Sequence, residues 1–204
     1  SLSAEQLANG VVCASAGNHA QGVALACYKK GIHGTIYMPS PTPSQKVNQV
    51  KMFGKDAIDV VLTGDTFDDA FAEAISFSEQ NQAAFIPPFD DQKIVEGQGT
   101  VGKEILEDSA EPIDYLIVPV GGGGLAAGVS SYFKVLSPNT KIIGVEPAGA
   151  PAMKTSMEKG QLVTLDKIDK FVDGAAVRRV GDLTFEICKE NLDRVITVSE
   201  GQVC

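Results

Sequence analysis

The sequence has few of the residues that bind nucleic acids and anionic membranes. Only three of its 204 residues are arginine, and its formal net charge is −9. Binding to a polyanion requires clustered positive charge, so we expect no nucleic-acid or membrane partner. No apolar run approaches the roughly 18 to 20 residues of a membrane span, and residues 1–6 lack the basic flank and apolar core of a signal peptide. The composition therefore favours a small-molecule ligand.

Cysteine and histidine are too scattered for a recognisable metal site. The cysteines are Cys13, Cys27, Cys188 and Cys204. They form no C-x-x-C pair, and His19 and His33 are the only imidazoles. We therefore expect reduced thiols, a cytoplasmic protein and no metal ion. The sequence begins without methionine, which indicates part of a longer chain.

Apolar runs alternate with amphipathic segments, as expected for parallel strands connected by helices in an α/β fold. Strands are predicted at residues 10–15, 34–39, 58–62, 83–86, 115–120, 141–145 and 194–198. Helices are predicted at residues 19–30, 45–53, 65–81, 101–107, 125–136, 152–159 and 182–191. Because the proline-containing segment 87–91 interrupts this alternation, we predict a small α/β domain at residues 1–90 and part of a larger one at residues 91–204.

A run of four glycines follows the predicted strand 115–120. They are Gly121, Gly122, Gly123 and Gly124. Residues without a Cβ atom between a strand and a helix present several backbone N–H groups to one point, which suits a phosphate. A tight turn alone is the weaker explanation, because each ordered glycine costs about 1 kcal/mol relative to alanine. We predict a phosphate-binding loop.

The same loop also fits a dinucleotide-binding fingerprint. Gly121, Gly123 and Ala126 match G-x-G-x-x-A, and Glu146 follows roughly 20 residues later, where a ribose-binding acid is expected. An NAD-dependent dehydrogenase is therefore an alternative function. A P-loop is excluded, because no Gly-Lys-Ser or Gly-Lys-Thr follows the glycines.

A second polar loop, residues 15–21, lies between a predicted strand and a predicted helix. Helix capping explains one polar residue here, but it does not explain a cluster of Ser, Asn, His and Gln. Ligands bind at this edge of open α/β sheets. Ser15 and the following N–H groups suit a carboxylate, and Asn18 suits a hydroxyl or phenolate. His19 has no acidic neighbour in the loop to orient it, so we do not expect a general base there.

Residues 15–22 and the tetraglycine loop resemble the asparagine loop and tetraglycine loop of the pyridoxal-phosphate-dependent serine/threonine dehydratases, which have the tryptophan-synthase-β fold type. Four further stretches share the resemblance: Gly-Asp-Thr-Phe-Asp-Asp-Ala at 64–70, Pro-Phe-Asp-Asp at 88–91, Gly-Gln-Gly-Thr at 97–100 and Asp-Gly-Ala-Ala-Val at 173–177. The likeness covers nearly the whole chain and is closest to the threonine dehydratases.

The resemblance implies a fold of type II, with two open, parallel, twisted sheets and helices on both faces. It also implies pyridoxal 5'-phosphate as cofactor, an amino acid as substrate and a homo-oligomer as the complete enzyme. The implied reaction is deamination of L-threonine to 2-oxobutanoate and ammonia. Dehydration of L-serine is the alternative within the family.

The resemblance also implies roles for individual residues. Gly121, Gly122, Gly123 and Gly124, with the N–H group of Leu125, would hold the cofactor phosphate. Asn18 would bind the ring hydroxyl of the cofactor. Ser15, with the N–H groups of Gly17, Asn18 and His19, would hold the substrate carboxylate. Gly174 would bring its backbone close to the cofactor.

The chain departs from the family in two stretches. The lysine of Ser-Phe-Lys-x-Arg-Gly, which binds the cofactor covalently and moves the proton, is not in this sequence, and neither is the late serine that contacts the pyridine nitrogen. Neither Lys46 nor Lys103 lies in a comparable context, so we assign no catalytic residue. We expect a central fragment that is inactive alone, and a non-catalytic phosphate-binding module is a further alternative.

Two other positions refine this interpretation. Ala16 stands where related racemases carry a serine base, which favours elimination over racemisation. Family members that bind a divalent cation use a Glu and an Asp after the strand that follows the glycine loop. Here Glu146 is present but Ala152 replaces the Asp, so no metal is expected.

Overall fold

The computed structural model describes residues 2–203. The chain divides after Pro88 into two compact units, which are described separately. Every strand pair in both units is parallel, which confirms the predicted α/β class.

The first unit contains a four-stranded sheet with the order β3-β2-β1-β4. Its strands are β1 (Val11–Ala14), β2 (Gly34–Met38), β3 (Ile58–Leu62) and β4 (Ala84–Phe85). Its helices are α1 (Ala4–Ala8), α2 (Asn18–Lys30), α3 (Ser44–Gly54) and α4 (Phe67–Asn81), with a 3-10 turn at Lys55–Ala57.

Strand β1 lies at the centre of this unit and is buried along its whole length. Since successive side chains of a strand point to opposite faces, β1 serves two hydrophobic clusters. Val11 and Cys13 pack with α2 and α3, while Val12 and Ala14 pack with α4. Helices therefore cover both faces of the sheet, and the continuous apolar sequence of β1 is typical of a strand buried in this way.

The second unit contains a three-stranded sheet with the order β5-β6-β7. Its strands are β5 (Tyr115–Pro119), β6 (Lys141–Pro147) and β7 (Arg194–Val198). Its helices are α5 (Gln92–Asp108), α6 (Gly124–Leu136), α7 (Ala152–Lys159), α8 (Asp182–Asn191) and α9 (Glu200–Val203). Phe133 of α6 and Phe185 of α8 are the largest side chains buried in its core.

The sequence-based prediction was wrong at two helices. Helix α5 begins nine residues before the predicted residue 101, because the carboxylate of Asp91 accepts from the N–H groups of Lys93 and Ile94 and starts the helix there. Helix α1 was not predicted, although Ser3 and Gln6 form a capping box.

No helix within residues 2–203 has the length and apolar content needed to cross a membrane. Cys13, Cys27 and Cys188 are buried free thiols, and burial raises the pKa of Cys13 and of Cys188 to about 12. The thiol of Cys204, which is also expected to be reduced, lies outside the described residues.

Candidate ligand-binding loops

The tetraglycine loop connects β5 to α6 in the second unit. The N–H group of Val120 donates to the carbonyl of Val145 at 2.8 Å and extends the pairing of β5 with β6 by one residue. Helix α6 begins at Gly124, with Gly123 as its N-cap. Gly123 has φ +95°, a left-handed conformation that L side chains rarely adopt. The loop therefore lies between a strand and a helix, as predicted.

Each of the four glycines has a close neighbour on the side where a Cβ atom would lie. A Cβ atom on Gly121 would lie 3.1 Å from the Cα of Ala175, and one on Gly123 would lie 2.8 Å from Oγ1 of Thr184. A Cβ atom on Gly122 would overlap the ring of Phe89, at 2.2 Å from Cδ1, and one on Gly124 would lie 3.0 Å from the Cβ atom of Phe89. Packing therefore disfavours any side chain at Gly122 and Gly123 and leaves little room for one at Gly121 and Gly124. The conformation of Gly123 adds a second reason for glycine at that position.

Two carbonyl groups of the loop, those of Gly122 and Gly123, accept hydrogen bonds from within the second unit. The carbonyl of Gly122 accepts from Oγ1 of Thr184 at 2.7 Å and from the N–H group of Gly181 at 3.2 Å. The carbonyl of Gly123 accepts from the N–H group of Ala127 at 2.8 Å and from Sγ of Cys188 at 3.8 Å. These contacts hold the loop in one orientation.

Unlike these carbonyl groups, the N–H groups of the loop are not hydrogen-bonded within the described residues. From Gly121 to Ala126, no backbone N–H group donates to an acceptor in the part of the chain that the structure describes. Several of them belong to the first turn of α6, where the helix dipole also favours an anion. A phosphate accepts several hydrogen bonds and carries negative charge. These N–H groups of the loop and the start of α6 are therefore suited to a phosphate.

Gly174 lies beside this loop. Its carbonyl oxygen is 3.3 Å from the position that a Cβ atom of Gly121 would occupy, and a Cβ atom on Gly174 itself would meet nothing within 4 Å. The segment is held by a turn in which the N–H group of Ala175 donates to the carbonyl of Val172 at 3.0 Å. The structure therefore brings Gly174 and Gly121 together.

The asparagine loop follows β1 in the first unit. The N–H group of Ser15 donates to the carbonyl of Tyr37 at 3.1 Å, and Oγ of Ser15 accepts from the N–H group of Gly17 at 3.1 Å. Gly17 is the N-cap of α2, and no side chain caps this helix. The N–H groups of Asn18 and His19 thus belong to an uncapped first turn, and the side chain of Asn18 is exposed.

His19 has a structural contact in this loop. Its Nε2 atom lies 3.1 Å from the carbonyl oxygen of Ile86, to which it donates. Burial lowers the pKa of His19, and the hydrogen bond to Ile86 only partly opposes this effect. The imidazole is therefore neutral at pH 7, with its proton on Nε2.

Glu146 does not have the position that a ribose-binding acid needs. Its carboxylate is 1% exposed, and it accepts from the N–H groups of Met153 at 2.7 Å and Lys154 at 2.8 Å. Burial raises the pKa of Glu146 to about 7, against the effect of these hydrogen bonds. Glu146 therefore caps α7. It is not placed to bind a ribose, so the dinucleotide-binding fingerprint lacks the acidic residue that it requires. Within residues 2–203 no group of three or more His, Cys, Asp or Glu side chains could hold a metal ion.

Three residues around the tetraglycine loop were not predicted from the sequence. Phe89 covers Gly122 and Gly124, Thr184 binds the Gly122 carbonyl, and Asp90 caps the helix that carries Thr184. The stretch Pro-Phe-Asp-Asp at 88–91 was recognised as a shared motif, but nothing in it indicated a contact with glycines more than 30 residues away.

The sequence matches the family described as pyridoxal-phosphate dependent enzyme over residues 1–204. The biosynthetic L-threonine dehydratase IlvA of Halalkalibacterium halodurans is 58% identical over 204 residues, which are 100% of this chain and 49% of that protein. The chain thus spans about half the length of the curated relatives that it matches.

Two solved structures agree with these matches. The processed form of threonine deaminase isoform 2 from Solanum lycopersicum has a TM-score of 0.90 and 48% identity, over 97% of this chain and 53% of that one. Maize serine racemase has a TM-score of 0.91 and 35% identity, over 99% of this chain and 60% of that one.

Proposed function

The chain belongs to the family of pyridoxal-phosphate-dependent enzymes, and we propose that the protein carrying it deaminates L-threonine to 2-oxobutanoate and ammonia. The observation that supports this proposal most is the tetraglycine loop, whose N–H groups from Gly121 to Ala126 have no acceptor within the described residues. The reaction removes water from the substrate and returns it when the product is hydrolysed, so threonine is converted to 2-oxobutanoate and ammonia without an oxidant.

The choice of threonine is supported by similarity. A relative named as a biosynthetic L-threonine dehydratase is 58% identical over the whole of this chain. Serine racemase from maize is less similar, at 35%. Ala16 stands where the racemases that this chain resembles carry a serine base, and this favours elimination over racemisation.

In the second unit, the tetraglycine loop binds the phosphate of the cofactor. Gly121, Gly122, Gly123, Gly124 and Leu125 donate through their N–H groups. Because this anion site uses the backbone alone, it does not depend on the protonation of a side chain. Gly174 lies against Gly121 and limits the space on that side of the loop. When bound, pyridoxal phosphate supplies an electron sink for the bond that breaks at the substrate Cα atom.

In the first unit, the asparagine loop has two roles. Asn18 donates its exposed side-chain amide to the ring hydroxyl of the cofactor. Ser15, Gly17 and the first turn of α2 hold the substrate carboxylate through the Ser15 hydroxyl and the N–H groups of Gly17, Asn18 and His19. The N–H group of Gly17 already donates to Oγ of Ser15, so substrate binding exchanges or shares that hydrogen bond. His19 contributes its backbone, because its ring is bound to Ile86.

The experiment measures 2-oxobutanoate released from L-threonine by the complete protein, with and without pyridoxal phosphate. L-serine serves as the second substrate. We expect release that requires the cofactor and a higher kcat/KM for L-threonine. If L-serine has the higher value, the protein is a serine dehydratase. Cofactor binding without release from either substrate would instead support the non-catalytic alternative.

A serine pair tests the carboxylate site. The hydroxyls of Ser15 and Ser3 each accept a backbone N–H group, from Gly17 and Gln6 respectively. Hydrogen bonds to charged groups contribute about 1.5–3 kcal/mol. Ser15→Ala should therefore raise KM for L-threonine about tenfold or more, whereas Ser3→Ala should leave KM unchanged. Equal KM values for the two variants would remove Ser15 from the site.

The dehydrogenase alternative has a separate test. Glu146 is buried and bound to Met153 and Lys154, so it cannot accept from a ribose hydroxyl without uncapping α7. We expect NAD to leave the thermal unfolding temperature unchanged, while pyridoxal phosphate raises it.

A further inference from the structure

The peptide between Gly122 and Gly123 is fixed by helix α8. The hydroxyl of Thr184 donates to the Gly122 carbonyl at 2.7 Å, and the N–H group of Gly181 donates to the same oxygen at 3.2 Å. Thr184 is fully buried, and its Oγ1 atom would lie 2.8 Å from a Cβ atom on Gly123. The hydroxyl is therefore packed against the loop as well as hydrogen-bonded to it.

This contact decides where an N–H group points. In a trans peptide the carbonyl group and the N–H group of the next residue lie in one plane and point in opposite directions across the C–N bond. The structure contains no cis peptide bond among its described residues. Holding the Gly122 carbonyl toward α8 therefore directs the Gly123 N–H group away from α8. That N–H group is one of those without an acceptor among residues 2–203.

Asp90 holds the start of α8 in place. Its Oδ2 atom accepts from the N–H group of Asp182 at 3.0 Å, and its Oδ1 atom accepts from those of Leu183 at 3.0 Å and Thr184 at 3.3 Å. The preceding residue, Phe89, packs against Gly122 and Gly124. Residues 89 and 90 thus contact the loop and the N-terminus of α8 at once.

We propose that Thr184 is a positioning residue for the cofactor phosphate, with Asp90 supporting it through α8. The Thr184 hydroxyl orients the Gly122–Gly123 peptide so that its N–H group donates to the phosphate. This role rests on the proposed function, because it requires that the tetraglycine loop binds the phosphate. In this chain it gives Phe89 and Asp90 of the Pro-Phe-Asp-Asp stretch a common role beside the loop.

A positioning role is distinguished from ordinary core packing by comparing two cofactor forms. Pyridoxal has the same ring and ring hydroxyl as pyridoxal phosphate but carries a 5'-hydroxyl, which forms a hemiacetal with the aldehyde, in place of the phosphate ester. The comparison between variants therefore uses the change in each dissociation constant relative to the unsubstituted protein. A residue that orients a phosphate donor changes affinity for pyridoxal phosphate while leaving affinity for pyridoxal unchanged. A residue that only stabilises the fold changes both affinities equally or changes neither.

The experiment titrates the cofactor-free complete protein with each compound at equilibrium and compares the dissociation constants. We expect Thr184→Val to weaken pyridoxal phosphate about tenfold, which corresponds to about 1.4 kcal/mol, and to change pyridoxal less than about twofold. Thr184→Ser keeps the donor and should restore tight binding.

Thr140→Val is the matched control. Thr140 is 1% exposed in the same unit, and its hydroxyl donates to the carbonyl of Ile113 at 2.7 Å, but it does not contact the loop. Thr140→Val should therefore leave the ratio of the two dissociation constants unchanged. If Thr184→Val weakens both compounds equally, or neither, the positioning role is refuted. If the unsubstituted protein binds both compounds equally well, the phosphate-binding loop itself is refuted instead.

A second pair of variants keeps the test decisive if Thr184→Val does not fold. Asp90 caps α8, whereas its neighbour Asp91 caps α5 through the N–H groups of Lys93 and Ile94. Asp90→Asn should lower the affinity for pyridoxal phosphate several-fold with little effect on pyridoxal, and Asp91→Asn should change neither. Equal effects of the two substitutions would contradict the proposal.

Discussion

Replacing Gly123 with alanine tests the packing of the tetraglycine loop most directly. Gly123 has φ +95°, and an alanine in this left-handed region costs about 1–2 kcal/mol. Its Cβ atom would also lie 2.8 Å from Oγ1 of Thr184 and 3.0 Å from Cε of Met153. The end of the Met153 side chain can move aside, but the Thr184 hydroxyl is fixed by its hydrogen bond to the Gly122 carbonyl. Overpacking of this kind adds about 1–3 kcal/mol.

Gly160→Ala separates these two contributions. Gly160 also has a positive φ, +69°, at the C-cap of α7, but a Cβ atom there would meet nothing within 4 Å. We expect Gly160→Ala to lower the free energy of unfolding by about 1–2 kcal/mol and Gly123→Ala to lower it by about 1–3 kcal/mol more. Urea unfolding followed by circular dichroism measures both values. Equal losses would show that the contact with Thr184 does not restrict position 123, and the reasoning on loop packing would fail.

Three further predictions concern the second unit. The hydrogen bond from the Ile142 N–H group and the ammonium groups of Lys141 and Lys134 lower the pKa of Asp193 from 3.8 to about 2. Because Asp193 is exposed, solvent screening reduces the effect of this shift, and Asp193→Asn should lose about 1 kcal/mol of unfolding free energy at pH 7. The difference between the two proteins should shrink as the pH falls from about 4 toward about 2, and a constant difference would argue against the lowered pKa. Burial raises the pKa of Glu146 from 4.5 to about 7, so between these pH values the folded state retains a proton that the unfolded state releases. The free energy of unfolding should therefore fall as the pH rises through this range. Glu146→Gln should reduce this pH dependence, which urea unfolding at pH 5 and pH 8 measures. Phe133→Ala should lower the free energy of unfolding by about 3–5 kcal/mol, because the ring is fully buried. Val135→Ala, at a side chain that is 77% exposed, should change it by no more than about 0.5 kcal/mol. Thermal unfolding of the two variants tests this difference.

Much of the fold could be predicted because its signals are local. Residues 58–62 and 194–198 form strands, and residues 152–159 and 182–191 form helices, with the predicted bounds. Each of these segments carries its periodicity within a few residues. The capping box of Ser3 and Gln6 is an equally local signal, and it marks the start of α1.

Helix α5 shows where local signals fail. Three glycines, Gly97, Gly99 and Gly102, disfavour a helix at its centre. The structure explains two of them by contact with α6: a Cβ atom on Gly99 would lie 3.3 Å from the carbonyl oxygen of Gly128, and one on Gly102 would lie 3.3 Å from that of Val129. Close helix packing therefore overrides propensity here, and no pattern within the segment reveals its partner.

The candidate site was predictable to a similar degree. The glycine run and the polar residues from Ser15 to Gln21 indicate ligand-binding loops by composition and place, and the motif resemblance proposes what they bind. The supporting contacts are different, since Asp90 and the residues that it caps are more than 90 positions apart. Glu146 shows the converse: it satisfied a sequence fingerprint, yet its burial and its bonds to α7 give it another role.

The packing of the four glycines limits how this loop can be transferred to another protein. Gly121 is confined by residues 174–175, Gly122 and Gly124 by Phe89, and Gly123 by Thr184 and Met153. Four glycines placed at a different strand-helix junction would reproduce the sequence of the loop without the neighbours that orient its peptide groups. A functional transfer therefore has to include the loop and these neighbouring residues together. In recombination between distant relatives, we expect a correctly oriented loop only when the loop and its neighbours come from the same parent.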